Sequence, residues 1–216
     1  MIDLHTHSIL SDGELLPTEL LRRALVLGYK AVAITDHVDF GNVEFVLNQV
    51  IKVAEKINKL NQIKLLPGVE LTHIPPTLIP ELAKKAKENG AKIIVVHGES
   101  PVEPVAEGTN LSALESDIDI LAHPGLITEK EVKLAVKRKI YLEISGRKGH
   151  CLGNGRLVSW ARQYKAKLVI NSDAHSSSDL FTQERIRKVG LGAGLTEKEL
   201  EKVFENSLKI VRGKLK

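Results

Sequence analysis

The chain has 216 residues, 43% of them hydrophobic and 27% charged, with 31 basic against 27 acidic side chains and a net charge of +4. That length suits one domain over residues 1–216. The lone cysteine, Cys151, excludes an intrachain disulfide framework and favours a reducing, cytoplasmic setting. No apolar run reaches the roughly 18 residues of a membrane span, the first ten residues lack a signal-peptide pattern, and the mild basic excess with 4% aromatics argues against a dedicated nucleic-acid surface.

In chain order, short β-branched or apolar runs predict strands at Ile2–Leu4, Ala31–Thr35, Lys64–Val69, Lys92–Val96, Ile118–Ala122, Ile140–Ile144 and Lys167–Ile170. Amphipathic stretches alternate with them. Pro17–Leu27 places Leu20, Leu21, Ala24 and Leu25 on one face, and Asn42–Leu60 repeats Val46, Val50, Val53, Ile57 and Leu60 at helical spacing. Pro80–Asn89, Glu129–Lys137 and Asn154–Tyr164 look similar, and Thr196 with Glu199 reads as a capping box opening a last helix. Gly190–Gly194 precedes that cap and reads as a helix–helix connector. Such alternation implies parallel strands joined by right-handed crossovers. Seven units in this length fit a small, distorted (β/α)7 TIM-like barrel, with an open doubly wound sheet as the competing architecture.

The chemistry gathers at the strand ends. The first strand runs into His5, His7 and Asp12, the second into Asp36 and His37, and the third into Glu70. The fourth ends at His97 and the fifth at His123. The sixth passes Glu143 to Arg147, and the last ends at Asp173 and His175. In a barrel these ends share one face, where active sites form. Six of the eight histidines lie there; His73 and His150 do not. Imidazoles and carboxylates with almost no thiols suit Zn, Mn or Fe. His5 and His7, two apart on an extended segment, point to the same side, as do Asp173 and His175. The set His5, His7, Asp12, His37, Glu70, His97, His123, Asp173 and His175 is too large for one four-coordinate ion, so two or three cations are expected, with Glu70 as the natural bridge.

These residues resemble the PHP (polymerase and histidinol phosphatase) family. Its motifs are matched, in order, by His5-Thr6-His7 through Asp12-Gly13, Ile34-Thr35-Asp36-His37, Pro67-Gly68-Val69-Glu70, His97, His123 and Asn171-Ser172-Asp173-Ala174-His175. The resemblance implies a distorted seven-unit barrel with a trinuclear centre that hydrolyses phosphoesters. It places one metal on His5, His7, Glu70 and Asp173, a second on Glu70, His97 and His123, and a third on Asp12, His37 and His175. Glu70, Asp173 and His175 are then the catalytic candidates. Asp36 is expected to orient a ligand imidazole or to cap a loop. Arg147 is expected to bind substrate phosphate bidentately, with His150 as a neighbouring substrate contact. His73 is read as lining the mouth or as a plain surface histidine, and Cys151 as a packed residue rather than a nucleophile.

The expected activity is therefore a metal-dependent phosphatase of the histidinol-phosphatase type on a small phosphorylated substrate. A nucleotide phosphodiesterase or 3′-exonuclease is the alternative. A non-catalytic RNA-binding subunit, like the archaeal ribonuclease P protein with a related barrel, would be expected to have lost these ligands. A barrel amidohydrolase would be expected to show a lysine at a strand end, which is not evident here.

Overall fold

A computed structural model describes Met1–Leu215. The elements run β1 (Ile2–Asp3), α1 (Pro17–Val26), β2 (Ala31–Ile34), β3 (His37–Val38), α2 (Val43–Ile57), β4 (Lys64–Leu71), α3 (Ile79–Glu88), β5 (Ile93–His97) and α4 (Thr109–Glu115). They continue with β6 (Ile120–Ala122), α5 (Glu129–Arg138), β7 (Tyr141–Ser145), α6 (Asn154–Tyr164), β8 (Leu168–Asn171), α7 (Gln183–Gly192) and α8 (Glu197–Lys214). Every strand pairing is parallel, in the order β1-β2-β4-β5-β6-β7-β8, and β3 continues the position of β2 beside the end of β4. The first and last strands meet beyond their ends. Asp173 N–H donates to His5 O at 3.0 Å, His7 N–H donates to Ala174 O at 2.8 Å, and Thr6 bridges Ala174. The sheet is thus a nearly closed seven-stranded barrel rather than an open sheet.

The pleat sorts the strand residues into two cores. Ala31, Ala33, Leu66, Ile93, Val95, Ile120, Ala122 and Val169 fill the interior with Leu4, and Ile210 and Val211 of α8 pack against them. Val32, Ile34, Leu65, Val69, Ile94, Val96, Leu121, Leu142, Ile144 and Ile170 face outward into the larger layer under the helices. The alanines Ala31, Ala33 and Ala122 among them leave room in a barrel with so few strands. In the outer layer Val43, Val46, Leu47 and Val50 of α2 are fully buried, each worth about 1.5–3 kcal/mol of transfer from water. Truncating Leu47 to Ala there would cost roughly 2–5 kcal/mol.

The helix starts follow local chemistry. Thr128 with Glu131 and Thr196 with Glu199 form complete capping boxes on α5 and α8, and Thr182 caps α7. The stretch predicted as one helix to Leu60 changes at Asn58 into a 3-10 turn. Asn58 accepts from Leu65 N–H and donates to Leu65 O, which steers the chain into β4. Two helices carry too weak a pattern to be foreseen. α4 is seven residues long and buries Thr109 and Asn110, while α7 buries only Ile186 and Gly190. Gly190–Gly192 therefore lies in α7, and only the rest of that glycine-rich stretch connects helices.

Candidate metal centre

Strand parity carries the inward column up to the C-terminal rim of the barrel. One step of two beyond Gly68 is Glu70, beyond Val95 is His97, and beyond Val169 and Asn171 is Asp173. The barrel seam brings His5 and His7 against the last of these. Two backbones are bent to complete the rim: Asp173 sits at φ 54° and His123 at φ 27°, a left-handed strain of order 1–3 kcal/mol each. Gly98 permits the close fit beside them, since a Cβ there would stand 2.3 Å from Ala122 O.

Glu70 is fully buried at the centre of the inner cluster. Its Oε1 lies 3.2 Å from His5 Nε2 and 3.5 Å from His123 Nε2. Its Oε2 lies 2.7 Å from His37 Nδ1 and 3.7 Å from His7 Nε2. Asp173 faces His7 Nε2 at 3.3 Å, His5 Nε2 at 3.7 Å and His175 Nδ1 at 3.5 Å. Asp12, half-exposed at the rim, faces His37 Nε2 at 3.4 Å and His175 Nε2 at 3.3 Å. Arg147 reaches the same edge, with Nη1 2.7 Å from His175 Nδ1 and 3.3 Å from Asp173 O.

The electrostatics follow from burial set against pairing. Burial alone would raise the Glu70 and Asp173 carboxyls, but the imidazoles around them hold both below their usual range, with His5 the leading partner in each case. Burial pushes His7 down to about 3. It opposes protonation of His37 too, yet Glu70 and Asp12 outweigh it and raise that ring to about 10. His5 rises for the same reason, with Glu143 the first of its partners.

Glu143 is a residue whose role the sequence left open. It points inward from β7, fully buried, and accepts from His5 Nδ1 at 2.8 Å and from Asn171 Nδ2 at 2.8 Å. That bond fixes the His5 tautomer and aims Nε2 at Glu70.

A second cluster lies at the lip, around a residue the sequence reading did not single out. Glu103, on the loop after β5, has Oε2 3.1 Å from His97 Nε2 and 3.2 Å from His73 Nε2, and Oε1 3.2 Å from His150 Nε2. His97 thus pairs with Glu103 rather than with Glu70. His73 and His150 both line the cleft, so all eight histidines belong to one chain of neighbouring rings. Asp36 corrects one expectation. It orients no imidazole; it accepts from Ser8 N–H at 2.6 Å, Ser8 Oγ at 2.7 Å and Ser11 Oγ at 2.9 Å, pinning the loop that carries Asp12. Cys151 is exposed rather than packed.

Asp12, His37, Glu70, Thr72, Arg147 and His175 are among the residues lining an open cleft of about 510 Å³. A larger cavity of about 740 Å³ beside Met1, Ile2 and Phe204 is mostly apolar and brings together no imidazoles or carboxylates, so size does not locate the chemistry. The donors of the cleft fit divalent cations. His5 Nε2, both nitrogens of His7, Glu70 Oε1 and His123 Nδ1 are buried without a hydrogen bond, a state that costs roughly 1–3 kcal/mol per group. Four sets bring their ligand atoms within 4.8 Å of one another: His5-His7-Glu70, His5-His123-Asp173, His7-Asp12-His37-His175 and His97-His123-His150. Nitrogen and carboxylate donors without thiolates suit Zn, Mn or Fe. No helix among the described residues is long and apolar enough to cross a membrane.

Fold and cleft together define a parallel α/β barrel of the TIM-like class with a histidine–carboxylate cup at its C-terminal face. Residues 1–215 match the family described as RNase P subunit p30, and the chain belongs to that family. Uncharacterized protein MJ1295 of Methanocaldococcus jannaschii is 50% identical over 201 residues, covering 92% of each chain. Ribonuclease P protein component 3 of Methanosarcina barkeri is 27% identical, covering 91% of this chain and 82% of its own. The Probable phosphatase of Thermoanaerobacter sp. is 28% identical, covering 91% and 88%.

Among solved structures, a chain of archaeal ribonuclease P with mature tRNA superposes with a TM-score of 0.74 at 19% identity, over 99% of this chain and 91% of that one. Histidinol phosphate phosphatase of Lactococcus lactis, complexed with zinc, L-histidinol and phosphate, gives a TM-score of 0.64 at 16% identity, over 90% and 94%. At these identities the likeness is one of fold.

Proposed function

We propose that this chain is a metal-dependent phosphoesterase that hydrolyses a small phosphomonoester. The observation that carries the proposal is the set of buried imidazole and carboxylate atoms around Glu70 that make no hydrogen bond, open to a cleft with Arg147 at its edge. His5, His7, Glu70 and Asp173 would hold one cation, and Asp12, His37 and His175 another. His123, which faces both Glu70 and Asp173, belongs to the same centre. Divalent cations bound there neutralise the carboxylates and lower the pKa of water in the cleft toward neutrality.

The protein's own groups do the rest. Glu70, Asp173 and Asp12 would repel a phosphate dianion in a cation-free cleft, and Arg147 alone does not offset them. Arg147 offers its guanidinium to the phosphoryl oxygens through the nitrogens other than Nη1, which Asp173 O and His175 Nδ1 hold. Glu143 and Asn171 keep His5 in one tautomer. The modest net charge favours a small substrate over a polynucleotide.

Support also comes from the phosphatases among the relatives and structural neighbours. Hydrolysis of an aryl phosphate is expected to require added Mn, Zn or Fe, and to fall on the order of 1000-fold, about 4 kcal/mol, in Glu70→Gln. Full activity in that variant would remove Glu70 from the centre.

A second reading has its own observation behind it. The family and one structural neighbour carry the name of an RNase P component, so the chain would act as a non-catalytic RNA-binding subunit. Retention of every expected ligand weighs against it. A screen of phosphorylated metabolites and short oligonucleotides, beside a binding assay on structured RNA, separates the two. Tight RNA binding with no hydrolysis by metal-loaded protein would favour the subunit.

A further inference from the structure

We infer that a second, anion-binding pocket adjoins the cleft beyond Arg147, walled by Lys148 and Arg185, and that the substrate is a phosphomonoester whose organic part carries a second anionic group, a phosphate or a carboxylate. The inference rests on the phosphoesterase reading and names the substrate class of that same site.

A cavity of about 520 Å³ lies against the cleft, and Arg147 and Asp173 line both. Lys148, Arg185 and Asp179 also line it, so three cations face two carboxylates. Both carboxylates are already engaged. Asp173 Oδ1 is turned to His7, His5 and His175, and its Oδ2 lies 3.7 Å from His123 Nε2. Asp179 Oδ2 accepts from His175 N–H at 3.2 Å and from Ser176 N–H and Oγ at 2.8 Å each. Among the described residues neither Lys148 nor Arg185 pairs with a carboxylate; Arg185 Nη1 donates instead to Ser178 O at 2.8 Å. The pocket therefore keeps an excess of positive charge directly beside the place proposed for the scissile phosphate, which draws anions to it.

Local packing builds the wall that carries Arg185. A Cβ on Gly146 would stand 2.1 Å from Phe181 Cζ, so the missing side chain lets the buried Phe181 ring press against the end of β7. Phe181 N–H donates to Tyr29 Oη at 2.9 Å, which fixes that segment. The Arg185 guanidinium lies 5.6 Å from the Phe181 ring centroid, and Arg185 N–H donates to the Thr182 cap. Ring and carbonyl together hold a planar cation in place, which lowers the entropy lost when it takes an anion. Lys148, exposed at the mouth, adds a mobile charge. Arg147 stands at the boundary of the two spaces, with Nη1 fixed on Asp173 O and His175 Nδ1. A molecule with one phosphate in the cleft and a second anion past Arg147 fills both.

The test reads binding apart from turnover. The full chain, loaded with metal, is titrated calorimetrically with a short alkane bisphosphonate, an ω-carboxyalkyl phosphonate and the plain alkyl phosphonate of the same chain length, none of which it can hydrolyse. At least one of the doubly anionic probes is expected to bind roughly tenfold or more tightly than the plain one, and which of them does so tells phosphate from carboxylate. Lys148→Gln and Arg185→Gln together should bring that ratio close to one. Arg185→Glu should turn the preference toward an aminoalkyl phosphonate, an inversion that a merely structural role would not produce. Both side chains are exposed, so these substitutions leave the core intact. Equal affinity of the wild-type chain for the three probes, with aryl phosphate still hydrolysed, would overturn the pocket and leave the phosphoesterase reading standing. A preference unmoved by the double variant would overturn the roles of Lys148 and Arg185. If aryl phosphate is not hydrolysed and no phosphonate binds, the phosphoesterase reading falls and this inference falls with it.

Discussion

The two histidine clusters of the cleft are built in different ways. The inner one hangs on the ends of β1, β4 and β8, where Glu70 and Asp173 are buried in register with the strands below them. The lip cluster hangs on Glu103, from a loop with no regular structure between β5 and α4. Its carboxylate is over a third exposed, against none for Glu70. A side chain at a strand end inherits its position from the barrel; one on a loop depends on the contacts it makes on arrival. The inner cluster should therefore act as a fixed cup, and the lip as an adjustable edge.

That contrast can be broken or sharpened by substitution. The largest effect on stability is expected at Asp36, the buried anchor of the loop bearing Asp12. Asp36→Ala removes three hydrogen bonds to the carboxylate and should cost about 3 kcal/mol in denaturant unfolding. A loss under 1 kcal/mol would mean that the loop holds itself. Next comes Glu143→Gln, which weakens the orienting bond on His5. Inner-cluster metal affinity should drop about 10–100-fold by competition titration. An unchanged affinity would mean that His5 keeps its aim without Glu143.

Smaller still is Arg147→Ala, expected to raise KM for a phosphomonoester roughly tenfold with kcat less affected. An unchanged KM would return Arg147 to the role of a solvated loop residue. The smallest effect lies far from the cleft, at Glu199. Arg162, with help from Thr196 N–H, lowers this carboxyl to about 2. A depressed carboxyl stabilises the fold fully above its unfolded pKa of about 4.5 and loses that contribution as pH falls through about 2. Glu199→Gln should thus lower Tm only slightly at neutral pH, as expected for an exposed pair, with the difference vanishing in acid. A difference that persists at pH 2 would locate the effect in the helix cap instead.

The barrel and the inner cluster were legible in the sequence for the same reason. Parallel strands buried on both faces write short apolar runs, and the first polar residues after each run sit on the rim. Glu143 left a fainter mark, an acid inside the buried strand Tyr141–Ser145, where an ionisable group needs a partner. Glu103 left almost none. It follows Pro101 and precedes Pro104 in a segment without periodicity, and nothing local says that the loop folds back over His97 and His150. For the same reason those two rings and His73 could not be joined from sequence: His73, at φ 54°, is turned toward Glu103 by backbone geometry that no spacing rule encodes. Asp36 was visible as a strand-end acid, but its choice of Ser8 and Ser11 over an imidazole is a matter of loop path.

The proposed activity requires cations in the inner cup. Anomalous X-ray scattering from crystals grown with manganese tests this most directly. The expected result is strong peaks at the manganese edge within bonding distance of Glu70, Asp173 and the imidazoles of His5 and His7. Crystals with manganese bound only at surface sites, and the cup closed on hydrogen bonds among its own side chains, would contradict it.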